Sequence, residues 1–156
     1  MSGISSGTPQ PIHNIPLSLK YSNQLKMTKD FKKTCLVQLN IIGFRYVHSL
    51  PPNQTSFLPQ AITDPDRELN GGWRMKDTCS GYGLSMFTSL SNIRQRAECL
   101  KNSYPNILKR LGSFYAELNL TVNDGACTVP TLKGHFDFHE ATMFDPILAI
   151  KSTGNI

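Results

Sequence analysis

Closely spaced cysteines are missing from this chain. None of its four cysteines, Cys35, Cys79, Cys99 and Cys127, lies three positions from another, and that Cys-x-x-Cys spacing is typical of zinc ribbons and fingers. The sequence therefore argues against a structural zinc site of this kind. We expect reduced and mostly buried thiols, as is usual in a cytoplasmic protein.

Long apolar runs are missing as well. No stretch approaches the roughly 20 consecutive apolar residues that a membrane-spanning helix needs, and the start of the chain lacks the apolar core of a secretory signal. These absences predict a cytoplasmic protein without a membrane partner.

Acidic residues are outnumbered, and the excess of positive charge is unevenly placed. The chain has 16 Lys and Arg against 11 Asp and Glu, a net charge of +5. Residues 1–33 contain five lysines and one aspartate, a balance of +4, so the other 11 basic and 10 acidic residues leave +1. This distribution does not favour a nucleic-acid groove on the folded body, although a local basic patch is compatible with it.

The leading segment is rich in Ser, Gly, Pro, Asn and Lys, and its apolar residues have no regular spacing. This composition predicts a basic arm, extended or disordered, over residues 1–30. Its residues Ile15, Leu17 and Leu19 could dock on the body or on a partner, and the alternative is a solvated tail. Residues 1–33 are therefore the candidate protein-binding segment. We predict a single domain over 31–151 and a polar tail at 152–156.

Apolar and alternating runs predict a sheet. The clearest strand is Ser113–Val122, in which apolar residues alternate with polar ones. Further strands are predicted at 35–42, 44–48, 134–140 and 146–150. The first two of these are either one strand with a bulge at Gly43 or two separate strands.

The chain is organised around Gly81–Leu100, which predicts a short strand followed directly by the principal helix. Apolar residues recur there at the spacing of one helical face: Leu90, Ile93, Ala97 and Leu100. Ser89 or Ser91 can cap the first turn. Together these patterns predict an α+β domain with a mostly antiparallel sheet of five or six strands, one principal helix and a flexible N-terminal arm.

Two further segments flank this unit. A polar loop covers residues 53–78, and a loop of that length inside a domain is usually functional or mobile. A short helix is predicted at 105–111, where Pro105 suits the first turn and Gly112 the end.

The hexapeptide His135–Glu140 carries the most suggestive chemistry. On a strand, its two histidines and its aspartate share one face, while its two phenylalanines pack into the core. A metal ion would need ligands from elsewhere, so we predict no metal site. His135 could instead form an acid–base pair with His48, because histidine changes charge near neutral pH.

Arg45 and Glu117 are charged residues on predicted strands. On a regular strand Arg45 and His48 lie on opposite faces, so one would point into a cleft and the other away from it. Glu117 lies on the polar face of the clearest strand, where a lone acid is usually solvated.

The order of three segments resembles the front half of ADP-ribosyltransferase-like domains. These are the strand ending Phe44-Arg45-Tyr46-Val47-His48, the loop with Gly71-Gly72-Trp73-Arg74, and the strand Gly81–Phe87 that leads into a helix. The superfamily includes toxin-type transferases, RES-type NAD-degrading toxins and RNA 2′-phosphotransferases. Over residues 44–140 the chain is also similar to short bacterial proteins with a Gly-Leu-Ser strand and a Gly-His-aromatic strand.

This resemblance implies NAD as a substrate and three positional roles. An Arg or His on the first strand meets the nicotinamide-ribose end of NAD, a residue on the second strand lines the pocket, and a polar residue on a later strand assists the reaction. The implied residues are Arg45 or His48 for the first role, Tyr82 or Ser85 for the second, and Glu117, His135 or Glu140 for the third. The nicotinamide would stack on Tyr46, Tyr82 or Phe87.

Two functional hypotheses therefore remain. The first is an NAD-using transferase or NAD glycohydrolase that acts as a toxin or defence effector. The alternative is a non-enzymatic interaction module, or a small subunit of a larger assembly, that docks through residues 1–33, with nucleic acid as a less favoured partner.

Overall fold

An antiparallel sheet of six strands forms the centre of the computed structural model, which describes residues 7–156. The strands of the chain are β1 (Gln10–Pro11), β2 (Cys35–Leu36), β3 (Ile41–Val47), β4 (Leu84–Phe87), β5 (Phe114–Leu120), β6 (Gly125–Cys127), β7 (His135–Glu140) and β8 (Ile150–Asn155). The α-helices are α1 (Ser22–Lys26), α2 (Gln60–Thr63), α3 (Leu90–Ser103), α4 (Ile107–Leu111) and α5 (Pro146–Ala149). Short 3-10 helices occur at Ile12–Asn14, Phe31–Lys33, Gln54–Phe57, Met75–Asp77 and Ser80–Tyr82.

The six strands lie in the order β6-β7-β4-β3-β5-β8, and all neighbours are antiparallel. The principal helix α3 covers one face of this sheet, with Ile93 and Ala97 fully buried. Ser89 caps it by accepting a hydrogen bond from the backbone N–H of Asn92. The predicted α+β fold, with its mostly antiparallel sheet and one principal helix, is confirmed. Of the two candidate caps, Ser89 has this role.

The sheet has a weak joint between β3 and β4. These two strands pair only at Phe44 and Phe87, whereas β3 pairs with β5 along its whole length. Next to this pair, the Arg45 guanidinium donates from Nη1 to the carbonyl oxygen of Ser85 on β4, at 3.0 Å, and from Nε to that of Ser56, at 2.9 Å. A side chain thus takes the place of a backbone ladder at the centre of the sheet.

Gly43 lies inside β3 without interrupting it. Its neighbours Ile42 and Phe44 stay in register with β5, so there is no bulge at this glycine, and the break between strands falls at 37–40 instead. A Cβ atom at position 43 would lie 2.5 Å from Met86 Sδ and 3.2 Å from the Phe136 ring. Close packing of the core therefore explains the glycine.

The leading segment is folded against the body, which corrects the prediction of an extended arm over residues 1–30. β1 pairs with β2, and Ile12, Leu19 and Leu25 are buried in a second core cluster. Ile15 and Leu17 pack against the same cluster, so they dock on the body. Single apolar residues between turns have no periodicity, which is why composition suggested an arm. Residues 1–6 of the predicted arm lie outside the described residues.

The C-terminal residues are also part of the sheet. The predicted tail at 152–156 falls largely within β8, which pairs with β5 at the sheet edge. Its polar character matches an edge strand whose side chains Lys151, Ser152 and Thr153 are exposed. Within residues 7–156, none of the helices has the length and apolarity needed to cross a membrane.

Candidate active site

A cavity of about 870 Å3 lies beside the joint between β3 and β4. Residues of β3, β4 and β7 line it, together with α3, α4 and part of the predicted loop at 53–78. The volume is typical of a small-molecule site. Six of the nine predicted site residues line this cavity: Arg45, Tyr46, His48, Ser85, Phe87 and His135.

Arg45 and His48 both line the cavity, although their alternation on β3 predicted that only one of them would. β3 ends at Val47, so His48 no longer follows the strand, and its Nε2 lies 2.8 Å from the carbonyl oxygen of Arg110. Arg45 reaches the same space because its long side chain passes through the joint between the strands. The expectation of opposite orientations was therefore wrong.

Ser85 and His135 form a hydrogen-bonded pair in the cavity. Ser85 Oγ lies 2.7 Å from His135 Nε2, because these residues are diagonal neighbours on the same face of adjacent strands. The Phe87 ring packs edge-on against the imidazole at 5.4 Å and against the Tyr46 ring at 6.0 Å. This packing fixes an imidazole that can exchange a proton with a hydroxyl group.

Asp137 is a site residue that the sequence reasoning did not select. Its Oδ1 lies 3.7 Å from His135 Nε2, and its Oδ2 accepts a hydrogen bond from Ser80 Oγ at 2.9 Å. Burial raises the pKa of Asp137, while His135 and Ser80 act in the opposite direction. The sequence did contain a signal for Asp137: it lies two residues after His135 on a predicted strand, so both side chains are on the same face.

This cluster differs from the triad of serine hydrolases. In a triad the carboxylate binds the imidazole nitrogen opposite to the serine, and so orients the ring. Here Ser85 and Asp137 both approach Nε2 of His135. Asp137 is therefore placed to stabilise a protonated imidazole, and it does not prepare the tautomer that activates a serine nucleophile.

Arg45 is a half-buried cation held by backbone carbonyl groups. Besides the bonds to Ser85 and Ser56, its Nη2 lies 3.4 Å from the carbonyl oxygen of Leu58. Burial lowers the pKa of Arg45 to about 10, and the charge of Glu140 opposes this effect. The guanidinium thus stays charged at neutral pH and couples the sheet to the loop that borders the cavity.

The cavity lining is strongly cationic. It contains one carboxylate, Asp64, and five basic side chains: Arg45, Arg67, Arg96, Arg110 and Lys133. Within the described residues, the last three of these form no ion pair with a carboxylate. Burial raises the pKa of Tyr46 to about 12, with the charge of Arg96 opposing it. A nearly neutral body therefore contains a local cationic cavity suited to anions.

Three predicted site residues do not line the cavity. Glu117 accepts a hydrogen bond from Ser152 on the edge strand, at 2.6 Å. Glu140 forms a 2.8 Å ion pair with Lys20 of the leading segment, and burial raises its pKa. Tyr82 is buried in the second core cluster. The resemblance assigned each of them by its position along the chain, which does not show the elements that pack around it.

Residues 7–156 hold no group of three or more His, Cys, Asp or Glu side chains arranged to bind a metal ion. The other histidine of β7, His139, is 2% exposed and lies within 3.3 Å of a Cβ built at Gly83.

Comparisons with protein-family models, with curated proteins and with solved structures found no match to this chain.

Proposed function

We propose that this chain uses NAD as a substrate, as an ADP-ribosyltransferase-like or NAD-glycohydrolase-like effector of the toxin or defence type. The observation that carries this proposal is the meeting of Arg45, Ser85 and His135 at one cavity. These are residues from the three strands to which the resemblance assigns its three roles.

The reaction breaks the bond between nicotinamide and C1′ of the ribose. The bonding electrons leave with nicotinamide, whose ring nitrogen loses its positive charge, and C1′ becomes oxocarbenium-like. Water or an acceptor hydroxyl group then bonds to C1′ and gives up a proton. His135 accepts that proton, and the carboxylate of Asp137 stabilises the resulting imidazolium at 3.7 Å.

The remaining lining suits the rest of the NAD molecule. Arg67, a half-buried lining cation without a carboxylate partner within residues 7–156, offers its charge to the pyrophosphate. Tyr46 and Phe87 provide aromatic surface for the nicotinamide. Arg45 holds β4 in place through the Ser85 carbonyl, so its main contribution is to position the serine.

The test is NAD turnover by the purified chain, measured as nicotinamide release. His135→Gln should lower kcat about 100-fold or more, the usual contribution of a general acid–base group. His13→Gln is the matched control, because His13 is exposed and contacts the Phe31 ring away from the cavity. If the chain neither binds nor turns over NAD, or if His135→Gln keeps full turnover, the proposal is wrong.

The interaction-module alternative loses its main support, because the segment that was to recruit a partner packs on the chain's own body. We also infer a cytoplasmic site of action, since all four cysteines are unpaired and NAD is an intracellular metabolite.

A further inference from the structure

The cationic lining of the cavity exceeds what a pyrophosphate requires. Arg96, Arg110 and Lys133 come from α3, α4 and the segment before β7, and none has a carboxylate partner within the described residues. Their side chains are exposed, so they lie at the mouth of the cavity and not at its floor. Three unpaired cations at one opening indicate a ligand with several negative charges.

An aromatic side chain lines the same cavity as these cations. Tyr104 follows the end of α3, lines the cavity and is 62% exposed. Proteins hold single-stranded nucleic acid with this combination of groups on one surface, in which cations contact the phosphates and a base stacks on an exposed aromatic ring.

We propose that the mouth of this cavity binds single-stranded nucleic acid and presents it as the acceptor of the reaction proposed above. The acceptor role rests on the proposed function, whereas the binding does not. In the transfer, C1′ of the ADP-ribose bonds to an oxygen or nitrogen of the strand, nicotinamide leaves with the electrons of the broken bond, and the proton of the acceptor goes to His135.

Binding is tested first, by fluorescence anisotropy with a labelled oligo-U RNA and an oligo-dT DNA in a salt titration. The double variant Arg96→Gln/Arg110→Gln should bind at least about tenfold more weakly at low salt. Its slope of log K against log salt should be shallower by about 1.4, because each lost phosphate contact on a single strand removes about 0.7.

The chain offers a matched control for this variant. Arg94→Gln/Lys109→Gln removes the same charge from the same two helices, but Arg94 donates to the carbonyl oxygen of Asn155 and neither residue lines the cavity. Wild-type affinity in the control supports the site at the mouth. Equal losses in both variants, or no binding of either oligonucleotide, would overturn it.

Tyr104 supplies a second, independent readout. Tyr104→Ala should weaken binding about tenfold through the loss of one stacked base, while Tyr104→Phe should keep wild-type affinity. Unchanged affinity in Tyr104→Ala contradicts the stacking role. A preference for oligo-U over oligo-dT would point to RNA, through its 2′-hydroxyl groups, and the reverse preference to DNA.

The acceptor role is tested by incubating each oligonucleotide with NAD and wild-type protein and then measuring its mass. A mass increase of one ADP-ribose that is lost in Arg96→Gln/Arg110→Gln supports the transfer. NAD turnover with an unmodified bound strand would overturn the acceptor role alone. Strand binding without NAD turnover would contradict the proposed function and leave the binding site standing.

Discussion

Buried His139 should make the stability of this fold fall as the solution is acidified. The side chain is 2% exposed, and neither ring nitrogen has a hydrogen-bond partner within the described residues. Burial lowers the pKa of His139 from 6.5 to about 4, and the charge of Asp30 only partly opposes this. The folded state therefore holds the neutral imidazole where an unfolded chain would already be protonated.

The sign and size of the effect follow from proton linkage. Above pH 6.5 both states are neutral at this position and the fold keeps its full stability. Between pH 6.5 and pH 4 the unfolded state binds the extra proton, so the free energy of unfolding falls. The loss from pH 7 to pH 5 is about 2 kcal/mol, and the limit below pH 4 is about 3 kcal/mol.

The assay is urea unfolding of the wild type and of His139→Leu at pH 5, 6 and 7. The leucine variant should be at least as stable at pH 7, since it removes two unpartnered nitrogens, and its advantage should grow by about 2 kcal/mol at pH 5. Burial raises the pKa values of Asp137 and Glu140, so these two groups stabilise the fold on acidification. The wild type and the leucine variant both contain them, so their effect cancels in the difference between the two proteins. A difference that stays constant from pH 7 to pH 5 would refute the reasoning.

Three further substitutions test the fold. Arg45→Ala should lower the free energy of unfolding by about 3 kcal/mol in urea, because three carbonyl groups lose their donor, and Arg45→Lys should recover part of it. Leu25→Ala should lower the free energy of unfolding by about 2–5 kcal/mol, because Leu25 is 2% exposed. Met27→Ala, at an 84% exposed site, should lower it by less than about 0.5 kcal/mol. Equal small losses in both variants would mean that the leading segment is an arm after all. Gly112→Ala should lower the melting temperature, at a cost of about 1–3 kcal/mol, because φ is +111° and the new Cβ would clash with the carbonyl oxygen of Val47. A variant that melts like the wild type would contradict this.

The parts of the fold that sequence predicted well have a strong local signal. The alternation in Ser113–Val122 became β5, and the stripe through Ile93 and Ala97 became the buried face of α3. In the same way, Gly112 ends the short helix α4, as predicted. These elements are defined by residues that are close to one another along the chain, so a single sequence is sufficient to find them.

The parts that sequence missed depend on contacts between distant segments. The cationic lining joins Arg67, Arg96, Arg110 and Lys133 from separate parts of the chain, so a count of charges along the sequence showed only a neutral body. The pairing of Ser85 with His135 likewise needs the order of strands in the sheet, which alternation does not give. The resemblance placed both residues in the site, but it could not choose His135 over the two glutamates.

The joint between β3 and β4 has a mechanical consequence for ligand binding. One half of the sheet contains β3, β5 and β8 and the other contains β4, β6 and β7. Their strands pair at a single residue pair, and the Arg45 side chain adds a hydrogen bond between them. Few backbone hydrogen bonds cross this boundary, so we expect local opening of the sheet to begin there. A molecule in the cavity touches Tyr46 on one half and Ser85 on the other. Such a molecule would add contacts between the two halves of the sheet. Native-state hydrogen exchange of the backbone amides in β3 and β4 should therefore slow when the cavity is filled.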